Sequence, residues 1–357
     1  MENFENLSER KKQILFCAVE DYIKEANPIT SAIVQQRHIK NISTATLRNE
    51  LSALEAMGYL KQLHTSSGRI PTTKAYRLYV NELMIKSKFT QKTLRTVNNL
   101  IFKRTDNLME IVSSIAKVVS EVTNYPSVVV LNGFDKLVID NVKIIPLIDG
   151  NGLCLITTNA GIINNDIRLP DGISEESCID AGRFLSSHFR GKTIGDMILN
   201  IYKYENEFEN EIDEFKSIFG NLINCLYDLS DQNKHIYQKG MTKLLNSPDY
   251  YDDINEARKV FNYLEDSEHI EEIFKGDEDS TDEISFSIGV ENDQEELDKC
   301  SIIKANYKVN GQHIASIGVI GPERMDYSKI AATLKLIVDE IKLLDRLEHN
   351  PSKNKKN

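Results

Sequence analysis

Apolar residues recur at helical spacing in three successive segments of residues 8–58. Ser8, Thr30 and Ser43 precede these segments, and hydroxyl side chains are typical of the residue that caps the N-terminus of a helix. The third segment ends before Gly58, a residue type that commonly follows a helix C-terminus. The pattern therefore predicts three helices in a row.

A β-hairpin is predicted directly after the third helix. Residues 59–64 alternate between apolar and polar as a strand does, residues 65–68 have turn composition, and a short return strand ends at Pro71. A fourth helix is expected next, capped by Thr72 or Thr73. Three helices and a hairpin predict a winged helix-turn-helix domain over residues 1–88.

The third predicted helix carries small and polar residues opposite its leucine stripe. A solvated helix usually has long Glu and Lys side chains there, whereas a helix that enters the DNA major groove needs small residues, with Arg for guanine and Asn for adenine. Base choice is assigned to the helix, and phosphate anchoring to Lys61, Ser66, Ser67 and Arg69. The candidate DNA-binding residues are Ser43, Thr44, Ala45, Arg48, Asn49, Ser52, Lys61, His64, Thr65, Ser66, Ser67 and Arg69.

The net charge of -11 at first argues against a nucleic-acid partner. The charge is unevenly distributed, however: residues 1–88 hold 13 Lys and Arg against 9 Asp and Glu, and the rest of the chain holds 30 against 45. The N-terminal segment is therefore at +4 and the remainder at -15. Positive potential, which DNA requires, is confined to the N-terminal segment.

Other classes of protein lack support in the sequence. It has no apolar run of about 18 residues and no secretory signal at its N-terminus, so we expect a cytoplasmic protein. The five cysteines are scattered, which indicates reduced thiols and no zinc site, and we expect no cofactor. The phosphate-binding, zinc-protease and hydrolase motifs of known enzymes are absent, so we expect no enzyme.

The rest of the chain alternates between strand and helix patterns. A helical pattern over 91–122 is followed by strand-like runs over 126–169, helices over 174–264 and strands again over 284–320. Strands, helices and strands in this order predict an α+β fold with an insertion. Residues 265–283 contain ten carboxylates and are expected to be a solvated loop.

Four runs in the N-terminal segment and one far downstream resemble a known family. They are residues 43–50 (STATLRNE), 54–60 (LEAMGYL), 64–72 (HTSSGRIPT), 76–80 (YRLYV) and 321–327 (GPERMDY). These runs are similar to those of the heat-inducible transcription repressors HrcA. Because the last run lies near the C-terminus, the resemblance covers nearly the whole chain.

The resemblance implies an α+β multidomain protein: after the winged helix-turn-helix, a GAF-like α/β domain over 89–349. Within it, an inserted, largely helical dimerisation segment is expected at about 150–275, and residues 350–357 are expected to be a disordered tail. It also implies a homodimer that represses heat-shock chaperone operons at an inverted-repeat operator in double-stranded DNA, loses activity on heating and is modulated by a GroE-type chaperonin. Where Ala32 stands the family tends to have a basic residue, which removes one expected phosphate contact.

An alternative function is compatible with the same elements. A winged helix can serve protein contact, and the remainder could then be a ligand-sensing or chaperone-client module without operator binding. DNA binding that weakens steeply with salt would distinguish a repressor from this alternative.

Overall fold

The computed structural model describes residues 7–62, 68–84, 97, 107–148, 150–205, 215–230, 235–245, 247–250, 254–275, 283–309 and 312–348. Helices and three separate antiparallel sheets make up this part of the chain, so the α+β class is confirmed. We call residues 7–84 the head and residues 107–348 the body. Within the described residues, no helix is long and apolar enough to cross a membrane.

The head begins with three helices, α1 (Glu9–Glu25), α2 (Ser31–Arg37) and α3 (Thr44–Ala56). The three predicted caps are confirmed, because the side chains of Ser8, Thr30 and Ser43 each accept a backbone N–H from the first turn of the helix that follows. The leucine stripe of α3 is fully buried against apolar side chains of α1 and α2, and this burial orients α3 in the head.

A two-stranded hairpin and a fourth helix complete the head. Strand β1 (Leu60–Gln62) pairs antiparallel with β2 (Arg69–Pro71), and α4 (Thr73–Leu78) continues into a π-helical turn (Tyr79–Leu83). Of the two predicted caps, Thr72 and Thr73, it is Thr72 that caps α4. The tip of the hairpin, residues 63–67, lies outside the described residues.

The body contains fifteen named helices and strands among the residues described. In chain order they are α5 (Leu108–Thr123), β3 (Ser127–Val130), β4 (Ile139–Pro146), β5 (Asn151–Thr158), β6 (Gly161–Arg168), α6 (Glu175–Phe189), α7 (Ile194–Asn200), α8 (Phe215–Ser230), β7 (Ile236–Lys239), α9 (Ile254–Glu265), α10 (Ser267–Phe274), β8 (Ile284–Ile288), β9 (Cys300–Val309), β10 (Gln312–Pro322) and α11 (Tyr327–Glu348). Short 3-10 turns connect several of them.

The main sheet of the body has the strand order β7-β3-β10-β9-β8, and every pair is antiparallel. Its two faces are covered by different helices. Val129 and Ile317 pair across β3 and β10 and belong to the larger core with α5 and α11. Val128 and Val130 point the other way, into a second core that includes Phe274 of α10. The apolar run of β3 is therefore buried on both sides, as an internal strand requires.

A segment of different architecture is interposed between β3 and β7. Strands β4, β5 and β6 form their own antiparallel sheet, and α6, α7 and α8 follow before the chain returns to the main sheet at β7. We call residues 139–230 the interposed segment. We expected a largely helical insertion at about 150–275, and its limits stay a prediction; in the structure β4, β5 and β6 form one sheet, whereas α9 and α10 pack with the main sheet. Periodicity identifies a strand but not the sheet that it joins.

Part of the acidic stretch is helical, which corrects the expectation of a solvated loop. Helix α10 lies within it because Ile270 and Phe274 are fully buried on the main sheet while the carboxylates face outward. Residues 276–282 of the stretch lie outside the described part, as do residues 350–357 and most of residues 85–106, where part of a helical pattern was predicted. The limits of the domains at 88 and 349 therefore stay predictions.

Candidate nucleic-acid interface

The outer face of α3 is open to solvent. Its six predicted DNA-binding residues are all exposed, whereas Leu47, Leu51 and Leu54 on the opposite side are fully buried. No acidic residue lies in the first turn of α3, where the positive end of the helix dipole favours an anion such as phosphate. The six residues are Ser43, Thr44, Ala45, Arg48, Asn49 and Ser52.

Helix α3 is tied to α1 by a cluster of charges. The carboxylate of Glu50 lies 3.5 Å from Arg10 and 3.1 Å from Lys11. The side chain of Glu50 is therefore directed toward α1, whereas those of Arg48 and Asn49 face outward. We did not single out Glu50 from the sequence, because its partners lie on another helix.

Arg69 of β2, predicted as a phosphate contact, turns toward α3 instead of solvent. Its Nε donates to Glu55 Oε2 at 2.7 Å, its Nη2 donates to Ser52 Oγ at 2.9 Å, and its side chain is only 15% exposed. Two predicted site residues, Arg69 and Ser52, are thus brought into direct contact. Lys61 on β1 is exposed, as predicted. His64, Thr65, Ser66 and Ser67 lie outside the described residues.

The head is seated on the body through α4. Tyr76 and Tyr79 lie 5.7 and 6.4 Å from the ring of Tyr327, which is fully buried in the body. Arg77 donates to both carboxylate oxygens of Glu291 and, at 2.8 Å, to the carbonyl oxygen of Phe286. These contacts leave the outer face of α3 uncovered.

Residues 321–327, which include Tyr327, supply further contacts from the body to the head, and we call them the docking loop. Thr73 donates a hydrogen bond to the carboxylate of Glu323, and burial raises the pKa of that carboxyl. Arg324 donates at 2.9 Å to the carbonyl oxygen of Ile23 in α1 and is held by Asp249, also at 2.9 Å. This loop is one of the family motifs found in the sequence, but the sequence does not indicate what the loop contacts.

The described residues also bear on metal and ligand binding. They contain no cluster of His, Cys, Asp and Glu suited to a metal ion, and each of the five cysteines is buried as a free thiol. A cavity of about 600 Å³ opens beside β3 and α10 and is lined by both acidic and basic side chains, including Glu271, His235 and His313. This mixed lining does not define one class of ligand.

Comparison with known proteins assigns the chain to a family. Residues 109–331 match the model of the HrcA protein C terminal domain. A relative from Acetivibrio thermocellus is 31% identical over 339 residues, covering 94% of this chain and 95% of its own, and one from Clostridioides difficile is 32% identical, covering 91% and 95%. A crystal structure described as that of a hypothetical protein superimposes with a TM-score of 0.71 at 20% identity, covering 94% of this chain and 98% of its own.

The two relatives define the class of protein as a transcription repressor, since both are described as heat-inducible transcription repressors. The chain belongs to the HrcA family, and the family predicted from its motifs is confirmed. This is a family of repressors rather than enzymes. The solved structure, at 20% identity, supports the fold alone.

Proposed function

We propose that this chain is a dimeric repressor that reads an inverted-repeat operator of heat-shock chaperone operons in the cytoplasm. One observation carries the proposal: α3 holds small residues, Arg48 and Asn49 on a face that the rest of the chain leaves exposed. Such a face can enter a major groove, where Arg and Asn side chains discriminate bases. Three helices and an antiparallel hairpin support a winged helix-turn-helix, and the main sheet with helices on both faces supports a GAF-like body.

The roles of the site residues follow from their positions. Ser43, Thr44, Ala45, Arg48 and Asn49 lie on the first two turns of α3 or at its cap, the part of a recognition helix that usually contacts base edges. Lys61, exposed on the adjacent strand, is the candidate phosphate anchor. The hairpin tip, with His64, Thr65, Ser66 and Ser67, is the further candidate for phosphate contact.

Dimerisation is proposed because one head at +4 would hold DNA weakly, whereas two linked heads raise the effective concentration at a second half-site. The interposed segment offers a surface for a second copy. Leu147 and Ile148 follow β4, an edge strand, and are 55% and 82% exposed. Ile145 of β4 and Ile179 of α6, which line one groove, are also exposed. An exposed apolar patch of this kind fits a symmetric interface.

The dimer is tested by the sedimentation of wild type and of Ile148→Glu. We expect the wild type to sediment as a dimer and the variant as a monomer, because a buried unpaired carboxylate is costly. A dimeric variant would place the interface elsewhere on the chain.

Heat inactivation and chaperonin modulation are proposed from the family alone. After heating, the fraction of chain that binds operator should fall, and a GroE-type chaperonin with ATP should restore it. An active fraction that the chaperonin leaves unchanged would contradict this part of the proposal.

The operator itself is tested by footprinting the purified chain on chaperone promoters from its own genome. We expect protection of an inverted repeat and binding that weakens steeply with salt. Arg48→Ala should cost about 1–3 kcal/mol on the operator and relax base choice at one position. Lys24→Gln is the matched control, since Lys24 also carries one positive charge but pairs with Glu20 on α1, at 2.9 Å.

Two outcomes would count against this assignment. An equal loss on operator and random DNA would show that Arg48 is not a base reader. No binding at low salt would refute DNA reading and would favour the alternative, a winged helix used for protein contact.

A further inference from the structure

The backbone at Arg69 is fixed before its side chain makes any contact. Its N–H donates to the Ile29 carbonyl oxygen and its own carbonyl accepts from the Ile29 N–H, both at 2.8 Å. The preceding residue, Gly68, approaches this segment so closely that a Cβ would lie 2.6 Å from the Ile29 oxygen. The backbone of Arg69 is therefore held in place at the base of the hairpin.

From that point the guanidinium spans one turn of α3. Ser52 and Glu55 are three residues apart and so lie on the same side of the helix. Arg69 donates through Nη2 to the first at 2.9 Å and through Nε to the second at 2.7 Å. A planar guanidinium with a fixed fork of donors is suited to such a two-point contact, and lysine is not.

This contact lies on the flank of α3 that the core does not hold. The buried leucines hold one face of the helix against the core, and the contact with Arg69 holds the adjacent flank. We propose that Arg69 is a positioning residue: with Glu55 and Ser52 it fixes the rotation of α3 against the hairpin, so that Arg48 and Asn49 meet the bases. The proposal rests on the DNA-reading function proposed above.

Glu55→Gln separates this role from a phosphate contact. If Arg69 bound phosphate, removing a nearby negative charge would leave DNA binding unchanged or tighten it. If Arg69 positions α3, Glu55→Gln and Arg69→Gln should each weaken operator binding by about fivefold or more, and the double variant should be no weaker than either, because partners in one contact are non-additive.

The salt dependence provides a second readout. A lost phosphate contact reduces the slope of log affinity against log salt by about 0.9. Lys61→Gln, at the candidate phosphate anchor, should show that reduction. Arg69→Gln and Glu55→Gln should keep the wild-type slope, and so should the control Lys24→Gln.

A charge-reversed pair shows whether a loss of affinity comes from the broken contact or merely from unfolding. Arg69→Glu combined with Glu55→Arg restores opposite charges across the same gap, and it should recover most of the affinity that Arg69→Glu alone loses. Circular dichroism at the assay temperature should show all variants folded. A reduced salt slope for Arg69→Gln, tighter binding by Glu55→Gln, or no recovery in the reversed pair would overturn the proposal.

Failure of the DNA-reading function would be seen separately. A wild-type chain that binds no DNA at low salt refutes that function, whereas the contact can still be measured by thermal unfolding of the same single and double variants. Additive effects there would overturn the positioning role without reference to DNA.

Discussion

The contact between Arg77 and Glu291 joins the head to the body, and its removal has a calculable cost. The two side chains are 22% and 33% exposed, so solvent screens the pair only in part. Exposed ion pairs contribute about 0–1 kcal/mol, and hydrogen bonds to charged groups about 1.5–3 kcal/mol. Arg77 also donates to the Phe286 carbonyl oxygen. We therefore expect Arg77→Ala to lower the free energy of unfolding by about 2 kcal/mol.

A double-mutant cycle isolates the pair from the carbonyl contact. Glu291 also accepts the backbone N–H of Ile288, at 2.8 Å, so Arg77→Ala does not leave its carboxylate without a donor. The coupling between Arg77→Ala and Glu291→Gln should accordingly be about 1 kcal/mol, less than the cost of the single change.

Calorimetry is the suitable assay, because it also shows whether the head and body unfold together. We expect one transition for the wild type and an earlier, separate transition of the head in Arg77→Ala. Arg77→Lys keeps the charge but loses the two-point contact. Its head should therefore unfold at a temperature between those of the wild type and Arg77→Ala. Additive effects of the two single variants, or a wild type whose head already unfolds alone, would refute the assignment of this contact as a link.

Two further predictions concern the docking loop and the main sheet. Burial raises the pKa of Glu323, so the folded state holds its proton more tightly; the stability that this carboxyl contributes is present below the usual glutamate pKa and is lost as pH rises. The difference in unfolding free energy between wild type and Glu323→Gln should therefore fall with rising pH, and a constant difference would contradict it. Gly318→Ala should destabilise by about 1–3 kcal/mol in chemical denaturation, because its Cβ would lie 2.3 Å from Phe274 and 2.9 Å from the Ile303 carbonyl oxygen; unchanged stability would show that β10 can move.

The local elements of the head were predictable because their causes are local. Ser8, Thr30 and Ser43 cap helices through backbone groups three residues away, and the leucine spacing of α3 determines which face is buried. The exposed outer face of α3 follows from the same spacing. The family was also predictable, since the ordered motifs that indicate it are present in the sequence itself.

The partners of charged side chains were not predictable in this way. Arg69 is predicted as a phosphate contact because hydroxyl and guanidinium groups at a hairpin tip are of the kinds that hold phosphates. It contacts Glu55 and Ser52 because the hairpin folds back across α3, and spacing within either element does not encode that approach.

Sequence by itself determined the local helices and strands, the exposed outer face of α3 and the family of this chain, since each depends on neighbouring residues or on an ordered motif. Tertiary structure alone decided which sheet β4 joins, that part of the acidic stretch packs as α10, and that the docking loop meets the head. Thr73 and Glu323 are 250 residues apart, and Arg77 and Glu291 are 214 apart. Contacts at such separations arise only when packing brings complementary surfaces together, so no local pattern reports them.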